Sequence, residues 1–357
     1  MTVTGTDVLV VNAGSTGVKL DVVDAGGRSR TLRALADAPG GLAGVGHRVV
    51  HGGGRFTAPV RIDDDVLAAL DEVGALAPLH NGPAVRLARE ARAALPDVPH
   101  VAVFDTAFHA TMPDEATRYA VPDAWVTGAS VRRYGFHGLS VEWACERAAA
   151  VLGGLPSRTV VCHLGGGASV TAVRDGRSVD TSMGMSPLDG LVMATRAGAI
   201  DPDVPLHMIL RRGVPAAEVE DVLNHASGMT ALAGTADMRE VEAAGAAGDA
   251  RARGALDVHD HRLAAVVAGM TAALGGLDLV VFTGGAGEGS SRTRAALAGR
   301  LAHLGVAIDP GRNAHGGEGE VSAAGAAVRT LVVHAREDVV IARAVRRVTG
   351  HDGGERA

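Results

Sequence analysis

Several ionisable residues occupy contexts that ordinary surface or core statistics do not explain. Arg48 and His51 lie at the end of an apolar run in Gly46-His-Arg-Val-Val-His-Gly-Gly-Gly54, Asp105 ends the run beginning at Val103, and glycines flank Phe136-His137. Arg196 is delivered by a polar, methionine-rich segment, 180–196, too irregular to be a plain helix start. A lone buried His or Asp is usually a hydrogen-bonded structural residue. Two guanidiniums, a carboxylate and an imidazole at glycine-bounded strand ends instead suggest one convergent site, because open α/β sheets bind ligands there. Guanidinium forks suit phosphate or carboxylate oxygens. Of the 34 basic side chains only Lys19 is a lysine. It sits in Val11-Asn-Ala-Gly-Ser-Thr-Gly-Val-Lys19, and its compact ammonium suits either an anion or simple snorkelling along a strand.

The elements that must position these groups show a repeating pattern. An apolar strand at 8–11, a tight turn from Ala13 to Gly17 and a return strand at 18–24 form a hairpin whose turn offers backbone N–H groups and the Ser15 and Thr16 hydroxyls to a phosphate. The pattern recurs about 150 residues later, where Cys162-His-Leu-Gly-Gly-Gly-Ala-Ser169 turns between apolar runs. A third glycine turn, Thr283-Gly-Gly-Ala-Gly-Glu-Gly289, follows the run 277–282. None is a Walker loop or a G-x-G-x-x-G fingerprint. Two hairpins so spaced predict a duplicated domain with a nucleotide phosphate chain held between the copies.

Further strands are predicted at 46–50, 100–105, 159–163, 169–174 and 277–282. Helices are predicted at 63–74, 83–95, 140–152, 203–212, 216–225, 256–274 and 292–304. Their alternation argues an α/β architecture with mixed sheets. The Ala/Gly-rich segments 241–255 and 311–325 read as exposed connections. A length of 357 residues with 47% apolar content fits two cores. A net charge of −6 gives no case for nucleic-acid binding. Cys145 and Cys162 lack metal-ligand spacing, Gly275-Gly276 and Asp278 interrupt the longest apolar stretch, and no basic n-region is seen. The expectation is therefore a cytoplasmic protein with free thiols and no membrane span.

The motifs taken together resemble the acetokinase branch of the actin, sugar-kinase and chaperone-ATPase superfamily. They run nearly end to end as VNAGSTGVK (11–19), GHRVVHGG (46–53), APLHN (77–81), VFDTAFHATMP (103–113), YGFHG (134–138), CHLGGGAS (162–169), DTSMGMSPLDGL (180–191), TRAGAIDPD (195–203) and VFTGGAGE (281–288). The resemblance implies a duplicated ribonuclease-H-like fold of two lobes with an active-site cleft between them. The implied lobes are 1–107 with 339–357, and 108–338. The implied chemistry is reversible transfer of the ATP γ-phosphoryl group to a short carboxylate, acetate first, giving an acyl phosphate and ADP.

Residue by residue, the resemblance makes Arg48, Asp105, His137 and Arg196 catalytic. It places Val50, Leu79, Phe136 and Pro187 around the acyl group, with His80 beside the carboxylate. Ser15, Lys19, His163, Gly165, Gly166, Gly167, Asp237, Arg239, Gly284, Gly285 and Gly287 fall on the nucleotide side, and Asn12 and Glu337 fall near Mg²⁺. A homodimer is implied too. Physics makes the charged set reasonable, since in-line phosphoryl transfer needs positioning and neutralisation more than covalent help. A carboxylate attacks already deprotonated, so Asp105 is better suited to orienting groups than to acting as a base. The chain departs from the family after YGFHG, where Thr-Ser-His becomes Leu139-Ser140-Val141. It also has Gly17, Gly166 and Gly289 where Ser, Asn and Asn are usual. Propionate, butyrate or a pathway-specific acid stays open as the acceptor, as does a non-catalytic nucleotide-binding role, against which the complete charged set argues.

Overall fold

The computed structural model describes residues 5–14, 17–74 and 78–351. Two six-stranded mixed sheets organise it. The first contains β1 (Val8–Gly14), β2 (Gly17–Val23), β3 (Ser29–Leu32), β4 (Gly44–Val49), β5 (Val60–Arg61) and β6 (His100–Phe104) in the order β3-β2-β1-β4-β6-β5. The second contains β7 (Arg158–Leu164), β8 (Ala168–Arg174), β9 (Arg177–Thr181), β10 (Leu279–Thr283), β11 (Gly319–Glu320) and β12 (Arg329–Val332) in the order β11-β12-β10-β7-β8-β9.

The duplication read in the sequence is a topological one. In each sheet an antiparallel hairpin, β1–β2 or β7–β8, is extended by a third antiparallel strand on one side and by parallel strands on the other. The inner parallel strands β4, β6 and β10 are almost wholly buried because helices cover both faces. β6 and β10, for example, are buried at every residue. Helix Glu337–Thr349 lays Val340, Ile341 and Val345 against Val8, Val10 and Val103 of the first sheet. Helix Ala250–Leu274 packs Leu263, Val267 and Leu274 against the second. Cys145 and Cys162 are free and buried, and burial raises both thiols, Cys145 to about 12.

Four sequence expectations are corrected. Segment 241–255 is not an exposed connection, because it belongs to helices Met238–Ala246 and Ala250–Leu274. Asp237 and Asp249 cap these helices, accepting from the backbone N–H of Arg239 and Ala252, and alanine favours the helical state between the caps. Within 311–325, helix Pro310–Ala314 and β11 interrupt the expected loop. The third glycine turn is a short helix, Gly284–Gly289, whose C-terminal carbonyls at Gly287 and Glu288 accept from the buried Arg294 guanidinium at 2.8 Å each. The helix expected at 83–95 begins earlier, at Pro78, and carries Pro83 inside it.

Candidate active site

Arg48 sits at the penultimate position of β4, opposite Asn12 of β1 and Val103 of β6. Its guanidinium makes a fork to Asp105, Nε to Oδ1 at 2.9 Å and Nη2 to Oδ2 at 2.5 Å. Its Nη1 donates to Asn12 Oδ1 at 3.1 Å, and Glu337 Oε2 lies 3.7 Å from Nε. Burial works against the Arg48 charge, but Asp105 and Glu337 outweigh it, so the guanidinium holds its proton more tightly than usual. Burial pushes the Asp105 carboxyl up, and the Arg48 fork opposes it.

The turn carrying His137 is fixed to this group through the backbone. Gly138 N–H donates to the Asp105 carbonyl at 2.9 Å, and a β-carbon on Gly138 would stand 2.2 Å from that oxygen, so only glycine permits the approach. His137 itself has φ 60°, the left-handed region, at the start of helix Gly138–Leu152. Its Nδ1 is 3.1 Å from Ser169 Oγ, and its ring stacks on His163 with centroids 4.2 Å apart. His163 Nδ1 is in turn 2.8 Å from Ser140 Oγ, the hydroxyl retained in the Leu139-Ser140-Val141 departure. Burial, then His163, Arg48 and Arg196, hold His137 well below the usual imidazole range, so it is neutral near pH 7.

Arg196 approaches from the second sheet. Its Nη1 donates to the Pro187 carbonyl at 3.3 Å. Among the described residues no carboxylate pairs with it, and burial alone lowers its hold on the proton. A β-carbon on Gly167 would lie 3.2 Å from His137 Nε2 and 3.3 Å from Arg196 Nη1. The missing side chain therefore leaves space that both nitrogens address. An unpaired, largely buried guanidinium beside a neutral imidazole is an arrangement that an anion completes.

Beside this centre is a cavity of about 560 Å³ lined by Gly165, Gly166, Asp237, Arg239 and Gly285 among others. Arg239 forks onto Asp237, with Nη2 to Oδ2 at 2.6 Å. A β-carbon on Gly165 would lie 4.0 Å from the Gly285 nitrogen, both glycines line the cavity, and Gly284 and Gly287 lie in the same short helix as Gly285. Sequence reasoning missed the apolar walls, Val192, Met193, Met229 and Met238. The methionine-rich segment hinted at Met193, but Met229 and Met238 lie in two separate short helices and read in the sequence as ordinary core residues.

Val50 and Phe136 are buried in one cluster with Met183, Leu191 and Met193. The neighbouring His51 places its ring edge-on to Phe136 at 5.3 Å. Pro187 is buried nearby in the chain segment that bonds Arg196. Ser15 and the side chains of Leu79 and His80 lie outside the described residues. Helix Pro78–Ala94 is nonetheless anchored at the end of β4, where Asn81 exchanges two hydrogen bonds with the His51 backbone. Lys19 shares a sheet face with Asn12, its cross-strand partner, but its ammonium rests on Asp21 at 3.1 Å rather than on any group of the centre. His163 stands against His137 instead of lining the cavity.

The sequence profile of the acetokinase family matches residues 39–343. The acetate kinase of Deinococcus deserti is 49% identical over 321 residues, covering 88% of this chain and 80% of its own length. That of Thermotoga maritima is 43% identical over 311 residues, covering 85% and 77%. Among solved structures, a propionate kinase from Francisella tularensis superposes with a TM-score of 0.89 at 35% identity, covering 95% of this chain and 98% of its own. Porphyromonas gingivalis acetate kinase superposes with a TM-score of 0.84 at 33% identity, covering 96% and 99%. The duplicated sheets, the paired and unpaired arginines around a neutral histidine, and these similarities agree: the chain belongs to the acetokinase family.

Proposed function

We propose that the protein transfers the γ-phosphoryl group of ATP to acetate, reversibly, in the space bounded by Arg48, His137 and Arg196. The observation that carries this reading is Arg196, a largely buried cation without a carboxylate partner, aimed with His137 Nε2 over Gly167. The adenosine part of the nucleotide occupies the 560 Å³ cavity, with Asp237 and Arg239 at its edge and the Gly165–Gly167 and Gly284–Gly287 backbones toward the phosphates. Acetate lies with its methyl group against Val50, Phe136 and Pro187, together with Leu79, and its carboxylate toward His80.

Each residue has a physical task. Arg196 and Arg48 neutralise charge on the phosphoryl oxygens as transfer proceeds, and Arg48 is prevented from swinging by its fork to Asp105. His137 donates one hydrogen bond from Nε2 when the Ser169 hydroxyl donates to Nδ1. Being neutral, it adds no charge between the two arginines. Asp105 holds Arg48 and, through its carbonyl, the His137 turn. The Asn12 amide and the Glu337 carboxylate fit a Mg²⁺ ion bound mainly by phosphate and water. Asn12 Nδ2 donates to Glu337 Oε2 at 3.5 Å, Asn12 Oδ1 accepts from Arg48 Nη1, and Glu337 is committed only to long contacts, which leaves its carboxylate oxygens as the hard ligands such an ion prefers. Bound there, Mg²⁺ would neutralise phosphate charge. Lys19 and Ser15 support the first turn on the ATP side, and His163 backs His137.

Residues 1–107 with 339–357 form one lobe and 108–338 the other, closing on ligand in the cytoplasm. A homodimer forms through the second lobe, supported by Leu206 and Leu210, one turn apart on helix Asp203–Leu210 and both exposed, with Val222 exposed on helix Ala216–His225. No helix among the described residues is long and apolar enough to cross a membrane. Trapping the acyl phosphate with hydroxylamine, using Mg-ATP and straight-chain acids from C1 to C6, tests the reading. Acetate should give the highest kcat/KM, with propionate next. Hydroxamate from none of these acids, or a marked preference for a hydroxylated or dicarboxylic acid, would overturn it.

A further inference from the structure

We propose that Arg133 and Tyr119 are positioning residues: they clamp the loop Ser182–Asp189 and through it hold both the acyl-side wall and Arg196. The loop leaves β9 with three successive carbonyls, Thr181, Ser182 and Met183, turned toward one point. Arg133 Nη1 donates to all three at 3.0 Å and lies 3.5 Å from Asp189 Oδ2 at the far end of the loop. One guanidinium nitrogen thus closes the loop at both ends. Tyr119 completes the clamp from the opposite side, where its Oη accepts the Met185 N–H at 3.0 Å and its ring lies 5.7 Å from the Arg133 guanidinium carbon. Gly184 fits between them only because it lacks a side chain, since a β-carbon there would stand 2.3 Å from Tyr119 Oη and 2.5 Å from Asp189 Oδ2.

What the clamped loop delivers is the Pro187 carbonyl, the oxygen to which Arg196 Nη1 donates. Arg196 has no carboxylate among the described residues to orient it, so the position of this carbonyl sets where its charge points. Pro187 is also assigned to the wall against the acyl methyl group. Release of the loop should therefore change two things together, the placement of the Arg196 charge and the length of acid that fits. A residue that merely stabilised the fold would change neither.

The inference rests on the site reading above, and Arg196→Ala serves as its control. Kinetics of Arg133→Ala, Arg133→Lys and Tyr119→Phe would be measured with acetate, propionate and ATP, alongside melting temperature. Arg133→Ala should lower kcat with acetate roughly 10-fold or more and raise the propionate-to-acetate ratio of kcat/KM several-fold, with the KM for ATP within about 2-fold of wild type. Arg133→Lys, which keeps three donors on one nitrogen, should recover part of the rate. Tyr119→Phe, which leaves the Arg133 bonds intact, should shift the acid ratio in the same direction by less, so the proposal is still tested if Arg133→Ala does not fold. If Arg196→Ala abolishes turnover while the clamp variants alter only melting temperature, the clamp is structural and the inference fails. If Arg196→Ala itself leaves turnover unchanged, the site reading fails, and the clamp's role with it.

Discussion

The two arginines differ in a way that separates their contributions to folding and to turnover. Arg48 neutralises a carboxylate that is 1% exposed, whereas Arg196 neutralises none among the described residues. Arg48→Ala should therefore slow phosphoryl transfer and also destabilise the fold, because it leaves Asp105 buried and unpaired, a loss of about 3–5 kcal/mol. Arg196→Ala should cost roughly 10²–10³ in kcat while the melting temperature holds or rises. Parallel denaturation and kinetics check both, and a stable, active Arg48→Ala would refute the placement of the charged centre. Val50→Ala should improve propionate or butyrate relative to acetate, within the roughly 1–3 kcal/mol that one methylene can discriminate. Of the residues singled out in the sequence, Arg48, Asp105, His137 and Arg196 could be recognised because charge at a glycine-bounded strand end has few structural uses. Arg133, Tyr119 and Arg294 could not, because their partners are backbone carbonyls and N–H groups whose positions no residue pattern encodes.

At the level of elements, the two hairpins and the parallel strands β4, β6 and β10 were legible because each is a mainly apolar run between turn residues. β3, β5, β9, β11 and β12 were not, since strands of two to five residues with polar members carry no period. Helix Glu337–Thr349, which brings Glu337 to Arg48, was placed only by resemblance. The contact between Gly138 and the Asp105 carbonyl leaves no room for a side chain. Gly138→Ala should disrupt the His137 turn and reduce activity even where the protein stays folded, as a comparison of circular dichroism with turnover would reveal. Beneath the first sheet, His47 Nε2 and His100 Nδ1 lie 2.9 Å apart, and burial lowers His47 to about 3 and His100 below its usual range. Burial likewise lowers His51 and His109 to about 4. These groups are neutral when folded and take up protons near pH 6.5 when unfolded. Their contribution to stability is thus complete above about pH 6.5 and is lost progressively as pH falls toward 4. Melting temperatures at pH 7.5 and 5 should show the decline, and equal values would contradict it.

For the whole molecule, the duplicated topology explains why the architecture was readable from so little: one sheet plan is used twice, so a hairpin found in each copy was enough to predict the duplication, though not the short outer strands. Quaternary structure follows a different logic, because the apolar face at Leu206 and Leu210 looks in the sequence like any amphipathic helix. Leu210→Glu should convert a dimer into a monomer in sedimentation experiments with little change in melting behaviour of the isolated chain. A wild-type monomer would remove the proposed assembly. The sealed thiols and the solitary lysine have a practical consequence. Cys145 and Cys162 are buried with raised proton affinity, and the Lys19 side chain is 64% exposed. A maleimide should ignore the native protein, while an amine reagent should find only Lys19 and the chain's amino terminus. A fluorophore on one cysteine introduced into the second sheet, paired with another on Lys19, would report the distance between the two halves in single molecules as nucleotide is added, without first stripping the chain of competing groups.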